Sequence, residues 1–126
     1  MTAIDPTAEQ LSALAAADDD APVVMINLLQ FTGAEGVASY ERYMAAVQPH
    51  LERVGARAVS AGAARQVVIG DGERPWWDAI IVVEYPSIAA FFAMIAHEGY
   101  QAIGYLRSDA LRRAELIATT PGAISA

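Results

Sequence analysis

The run Trp76-Trp77-Asp78-Ala79-Ile80-Ile81-Val82-Val83-Glu84-Tyr85-Pro86-Ser87 constrains this chain more than any other stretch. Ile80 to Val83 are unbroken β-branched residues, so the segment from Trp77 to Tyr85 predicts a strand buried on both faces. Pro86-Ser87 then stops the strand, and Ser87 is placed to cap a helix carrying Ile88, Phe91, Phe92 and Ile95. A strand that is apolar on both sides must find cover for both sides, and this requirement recurs along the chain.

Val23 to Phe31 has the same character, short and β-branched at its start, and Thr32-Gly33 closes it. Val37, Tyr40, Met44, Val47, Leu51 and Val54 then recur at helical spacing up to Gly55, with Pro49 expected to kink the helix they form. Arg57 to Ile69 predicts a second strand, with Gly62 marking a bulge or a close backbone approach, and Gly70-Asp71-Gly72 a turn. Tyr100 to Leu111 predicts a further short helix and Leu116 to Thr119 a last strand. Before all of these, Asp5 and Pro6 are placed to start a helix in which Leu11 and Leu14 share a face, and Asp18-Asp19-Asp20 reads as a solvated turn. Three adjacent carboxylates diverge, which argues against a metal site there.

After the N-terminal helix the predicted order is β-α-β-β-α-β. The fold class expected is therefore α+β: a ferredoxin-like antiparallel sheet with two helices on one face. The other face of the sheet also needs cover. A second copy of the chain, packed sheet to sheet about a two-fold axis, would supply it. The chain's 126 residues make one domain, and the 55% hydrophobic content is ample for a core of that size, with a surplus suited to a subunit interface. The expected division is an N-terminal helical extension over 1–21, the α+β unit over 22–120 and a short tail over 121–126.

Composition excludes several chemistries. There is no cysteine, so disulfides, thiolate nucleophiles and thiolate-held metals or clusters are out. All eight basic residues are Arg, so a Schiff-base lysine with PLP and a Walker A loop are out as well. His50 and His97 are the only histidines and form no ligand-spaced pair, so no metal and no cofactor is expected. His97, beside Gly99, reads as a partner of the helix dipole rather than a haem ligand. A net charge of −7 repels nucleic acid and anionic membranes. No apolar run reaches the roughly 18 residues of a membrane span, and no basic stretch precedes an apolar one at the start. A cytoplasmic location is the expectation.

Six residues are candidates for binding a ligand: Asn27, Tyr40, Tyr43, Trp77, Asp78 and Arg107. A mid-strand amide such as Asn27 either ties the sheet to a helix or faces a ligand. Tyr40 and Tyr43 lie on the inner side of the long helix, where they either fill the core or line a cavity. Asp78 beside two indoles either titrates high as an acid or base, or pairs with an Arg at the strand end. Arg107 either clamps a carboxylate or pairs with Glu84 or Asp109.

Met25 to Phe31, the spaced Tyr40 and Tyr43, Trp77-Asp78, Glu84-Tyr85-Pro86-Ser87, Phe91 to Met94, Tyr100 and Arg107 form a familiar pattern. Over roughly residues 22 to 120 the chain resembles the DUF1330 family of the dimeric α+β barrel superfamily. The N-terminal helix resembles an extension carried by one subgroup. That subgroup often has His just before the Arg; this chain has Leu106 there, so no proton-transfer role carries over to that position. The resemblance implies a homodimer with a ligand cavity between sheet and helices. The superfamily spans cofactor-free monooxygenases, haem-handling enzymes, dehydratases and binding proteins, so fold alone does not choose among them. The function expected is the binding of a small anionic or aromatic molecule, by a cofactor-independent enzyme acting on an organic acid or aromatic metabolite, or by a binding or assembly module without catalysis.

Overall fold

A computed structural model describes residues 3–72 and 77–126, which leaves Trp76 outside the described residues. The elements in chain order are α1 (Ala8–Ala16), β1 (Val23–Phe31), α2 (Ala34–Arg53), β2 (Arg57–Ala63), β3 (Ala79–Tyr85), α3 (Ile88–Ala96), α4 (Glu98–Ser108) and β4 (Leu111–Thr119). The strands form one antiparallel sheet in the order β2-β3-β1-β4. This is the ferredoxin-like α+β arrangement that the strand and helix order implies, with α1 added in front and α4 inserted before the last strand.

The strands alternate as the pleat requires. Val23, Met25 and Leu29 of β1, and Ile81, Val83 and Tyr85 of β3, point to the helical layer and are buried. The same core takes in Tyr40, Tyr43, Val47 and Leu51 from α2 and Ile88, Phe91 and Met94 from α3. On the opposite face, register sets Ile26 between Val82 and Ile117, and Leu28 between Ile80 and Glu115. Ile80 and Ile117 are 42% and 45% exposed there, so the centre of the open face is aliphatic.

Local chemistry accounts for most boundaries. Ser87 caps α3 by accepting the Ala90 N–H at 3.0 Å. Asp18 and Asp19 accept the backbone N–H groups of Asp20 and Ala21, which makes the acidic triplet a turn. The N-terminal helix starts later than Asp5-Pro6 suggests: Thr7 is the cap and forms a capping box with Gln10. α2 runs on through Pro49 to Arg53, two residues short of the Gly55 end that the spacing predicts. His97 separates α3 from α4: it ends α3 as its C-cap, and it also starts α4, its Nδ1 accepting the Gly99 N–H at 3.0 Å.

Three sequence expectations fail where long-range pairing decides. β2 stops at Ala63, not Ile69: Ala63 pairs with Ala79, the first residue of β3, and a backbone bond of 2.9 Å from the Ala64 N–H to the Asp78 carbonyl closes the pairing. The bulge falls between Ala58 and Ser60 rather than at Gly62, which has open space around its α-carbon. β4 begins at Leu111 instead of Leu116, since β1 offers partners as far as Phe31. Among the described residues no helix is long and apolar enough to cross a membrane.

Candidate functional site

Between the sheet and the helices lies a cavity of about 220 Å³. Met25, Asn27, Ile81, Val83 and Tyr85 form its floor from β1 and β3, and Leu116 closes the β4 side. Tyr40, Tyr43 and Met44 of α2, Phe91 and Met94 of α3, and Tyr100 and Arg107 of α4 form its roof, with Asp5 and Pro6 at the mouth. The floor positions follow from the two-residue period of the strands, and Tyr40, Tyr43 and Val47 from the turn spacing of α2.

Four candidates from the sequence therefore meet here: Asn27, Tyr40, Tyr43 and Arg107. Asn27 donates from Nδ2 to the Ile81 carbonyl at 3.2 Å, bridging to its cross-strand partner. Tyr43 and Tyr100 share a hydroxyl hydrogen bond of 2.8 Å, and the Tyr40 and Tyr43 rings pack 5.2 Å apart. Arg107 pairs with Asp5 at 3.1 Å, and its side chain is only 17% exposed against 61% for Asp5. Glu84, a partner for Arg107 on sequence grounds, instead pairs with Arg57 at 3.2 Å. Ser39 of α2 donates to the Leu106 carbonyl at 2.8 Å, which fixes α4 next to Arg107.

Trp77 and Asp78 lie outside this cavity. Asp78 is exposed and accepts the Phe31 N–H at 2.8 Å, while its own N–H donates to Leu29 O at 2.7 Å. It clips the end of β3 to β1, and no Arg is needed for that. The Arg113 guanidinium lies 5.1 Å from the centre of the Trp77 ring. Asn27, Asp78 and Arg107 thus do not converge on one point.

Sequence reasoning misses Tyr85, Tyr100 and Asp5 as lining residues. Tyr85 is legible, since it shares parity with Ile81 and Val83 on β3. Asp5 carries no signal, because its partner is 102 positions away.

Three of the cavity tyrosines, Tyr40, Tyr43 and Tyr85, are shifted in the same direction. Burial pushes the Tyr40 phenol up to about 12, against a downward pull from the Arg107 guanidinium. Burial, reinforced by neighbouring tyrosines, raises Tyr43 and Tyr85 still further. At neutral pH these hydroxyls are protonated donors and not bases. A phenol raised in the folded state stabilises the fold below its unfolded value of 10.0, and that stability is lost as pH climbs through the folded value. Alkaline titration followed by ultraviolet absorbance should show Tyr40, Tyr43 and Tyr85 ionising only as the chain unfolds above pH 10.0. Reversible ionisation of all five tyrosines of a chain that keeps its circular dichroism would contradict this. Tyr43→Phe removes one side of the Tyr43–Tyr100 bond and should cost about 1 kcal/mol, read as a lower denaturant midpoint at unchanged slope.

His50 and His97, unpaired in sequence, come together with ring centres 5.6 Å apart. Each accepts at Nδ1, from Arg53 Nη1 at 2.7 Å and from Gly99 N–H, so each neutral ring carries its proton on Nε2. Burial first, then Arg53 and His97, hold His50 below its usual value. Among the described residues no group of three or more His, Cys, Asp or Glu gathers to hold a metal.

The chain is 30% identical to the RPA0582 protein of unknown function from Rhodopseudomonas palustris, with a TM-score of 0.87 over 98% of this chain and 100% of the other. A dimeric ferredoxin-like protein of unknown function from Jannaschia sp. CCS1 matches at 13% identity and TM-score 0.64, covering 79% of this chain and 98% of its own. A protein of Bacteroides thetaiotaomicron provisionally described as an antibiotic biosynthesis monooxygenase matches at 18% identity and TM-score 0.60, over 82% of this chain and 92% of that one. At such identities these last two share the fold alone. Comparison with curated proteins finds no match. The domain of unknown function DUF1330 matches residues 25–120, which span both strands of the cavity floor and every roof residue, and the chain belongs to the DUF1330 family.

Proposed function

We propose that the protein binds a small organic acid with an apolar or aromatic body, using Arg107 as the anchor for the carboxylate. The observation that carries this reading is the mostly buried Arg107 guanidinium at an apolar cavity, held by a mostly exposed Asp5. An arginine so placed needs an anion, and the mostly exposed Asp5 side chain can give up the pair to water at little cost. Inside, the protonated hydroxyls of Tyr40 and Tyr43 and the Asn27 amide offer hydrogen bonds to a polar substituent.

Binding is favoured over proton-transfer catalysis. Asp5 is the one carboxylate lining the cavity and no histidine does, so a general base on the inner wall is lacking among the described residues. Calorimetric titration with benzoate and with benzamide tests the anchor, because the two differ in charge and little in shape. The acid should bind and the amide should not; equal binding of both, or of neither, would remove the support for an anion site.

The working unit in this reading is a cytoplasmic homodimer joined through the open sheet face, built from the 22–120 unit with its 1–21 extension and 121–126 tail. Ile26, flanked by Val82 and Ile117, supports it: an aliphatic centre of this kind is costly to leave in water. The Jannaschia relative is described as dimeric. Light scattering at micromolar concentration should give the mass of two chains, and Ile26→Glu should halve it. A monomeric mass for the parent chain would end the proposal.

A further inference from the structure

On the far side of Arg107 a second, larger cavity of about 600 Å³ opens between the N-terminal segment and β4. Ile4, Leu11 and Leu14 wall it on one side and Leu116 and Ala118 on the other. α1 buries none of its residues fully: Leu14 touches the edge of the core, and Leu11 and Leu14 line the gap half-buried. A nine-residue helix is marginal alone and gains from whatever fills the space beneath it. Both cavities are lined by Asp5, Met25, Phe91, Arg107 and Leu116, so they meet at the guanidinium.

We propose that this outer groove holds the aliphatic chain of a straight-chain monocarboxylic acid whose carboxylate displaces Asp5 from Arg107. The inference rests on Arg107 being an anion anchor and adds the class of molecule and the direction of its tail. The walls are mostly aliphatic, with Phe91 the one aromatic among the described residues, which suits a methylene chain better than a stacked ring. Among the described residues Arg107 is the one cation lining the groove, while Asp5 and Glu115 line it as anions. A single negative charge is matched there, whereas a phosphate dianion would meet two carboxylates and one guanidinium.

The test is calorimetric titration of the full chain with butyrate, hexanoate, octanoate and decanoate below their micellar concentrations, beside benzoate and 1-octanol. Affinity should rise about two- to fourfold per added methylene up to the length the groove admits. 1-Octanol should bind at least about tenfold more weakly than octanoate. Leu11→Asp, or the milder Leu14→Ser should that variant not fold, should flatten the length dependence while leaving benzoate binding unchanged. Benzoate binding without any gain from chain length would overturn the groove and leave the anchor standing. Failure of every acid would overturn both. A length dependence untouched by both variants, or hydrogen-exchange protection of α1 without acid because a second copy fills the gap, would also overturn it.

Discussion

Arg107→Ala should weaken binding of benzoate about ten- to hundredfold and leave the fold nearly as stable as that of the parent chain. The first magnitude follows from the pair the guanidinium makes with a carboxylate in a site largely shut from water, about 1.5–3 kcal/mol. The second follows from the asymmetry of the existing pair. Asp5 is 61% exposed, so losing its partner strands a carboxylate in water, not in the core, at a cost of about 1 kcal/mol or less. Arg107→Lys should restore binding only in part, because a point charge replaces the planar fork. Asp5→Asn should act the other way. With the internal carboxylate gone, added acids meet less competition, and affinity should rise by up to about fivefold. Melting curves and titrations on the same variants decide the matter: an Arg107→Ala chain that melts far earlier yet binds benzoate like the parent would make the arginine a structural residue and nothing more.

Gly36→Ala should destabilise the chain although Ala is the better helix former. A Cβ at Gly36 would lie 2.5 Å from Thr32 Oγ1 and 2.6 Å from the Ala110 carbonyl oxygen. The hydroxyl can rotate away; the carbonyl cannot, since Ala110 is fully buried and its oxygen accepts the Thr32 N–H at 3.0 Å. Helix propensity returns at most about 1 kcal/mol, less in the first turn, while overpacking against fixed backbone costs about 1–3 kcal/mol. The steric effect wins, and the melting temperature should fall by about 5 °C or more, with Gly36→Val worse. Ala110 closely follows α4, so relief of the clash would shift the helix that carries Arg107, and acid binding should weaken in the same variant. A Gly36→Ala chain that melts at or above the parent would mean that the α2–α4 junction yields freely.

Part of the candidate site is legible in the sequence alone. Tyr40 and Tyr43 fall on the inner face of α2 by turn spacing, and Asn27 on the inner face of β1 by alternation, and all three line the cavity. Asp78 misleads because its neighbours in sequence are indoles, whereas its partner is a backbone N–H across the sheet. Arg107 stands out in the sequence, but with Glu84 or Asp109 as its partner, since nothing local points 102 positions back to Asp5. The two histidines look isolated for the same reason; the helix break at His97 and the end of α2 bring their rings together.

What the sequence by itself determined is the set of features whose physics is local. Strand and helix identity followed from side-chain period, the start of α3 from the Ser87 hydroxyl, and the excluded chemistries from the absence of Cys and Lys. The tertiary structure decided everything that depends on pairing between distant segments. β2 ends where β3 stops offering hydrogen bonds, β4 begins as far along as β1 offers them, and the bulge sits at Ala58–Ser60. Arg107 becomes a candidate anchor only because α4 lays it between two cavities and an extension from the other end of the chain reaches its guanidinium. Such contacts are set by how the layers pack, and packing energy is shared among residues that no short window of sequence contains together.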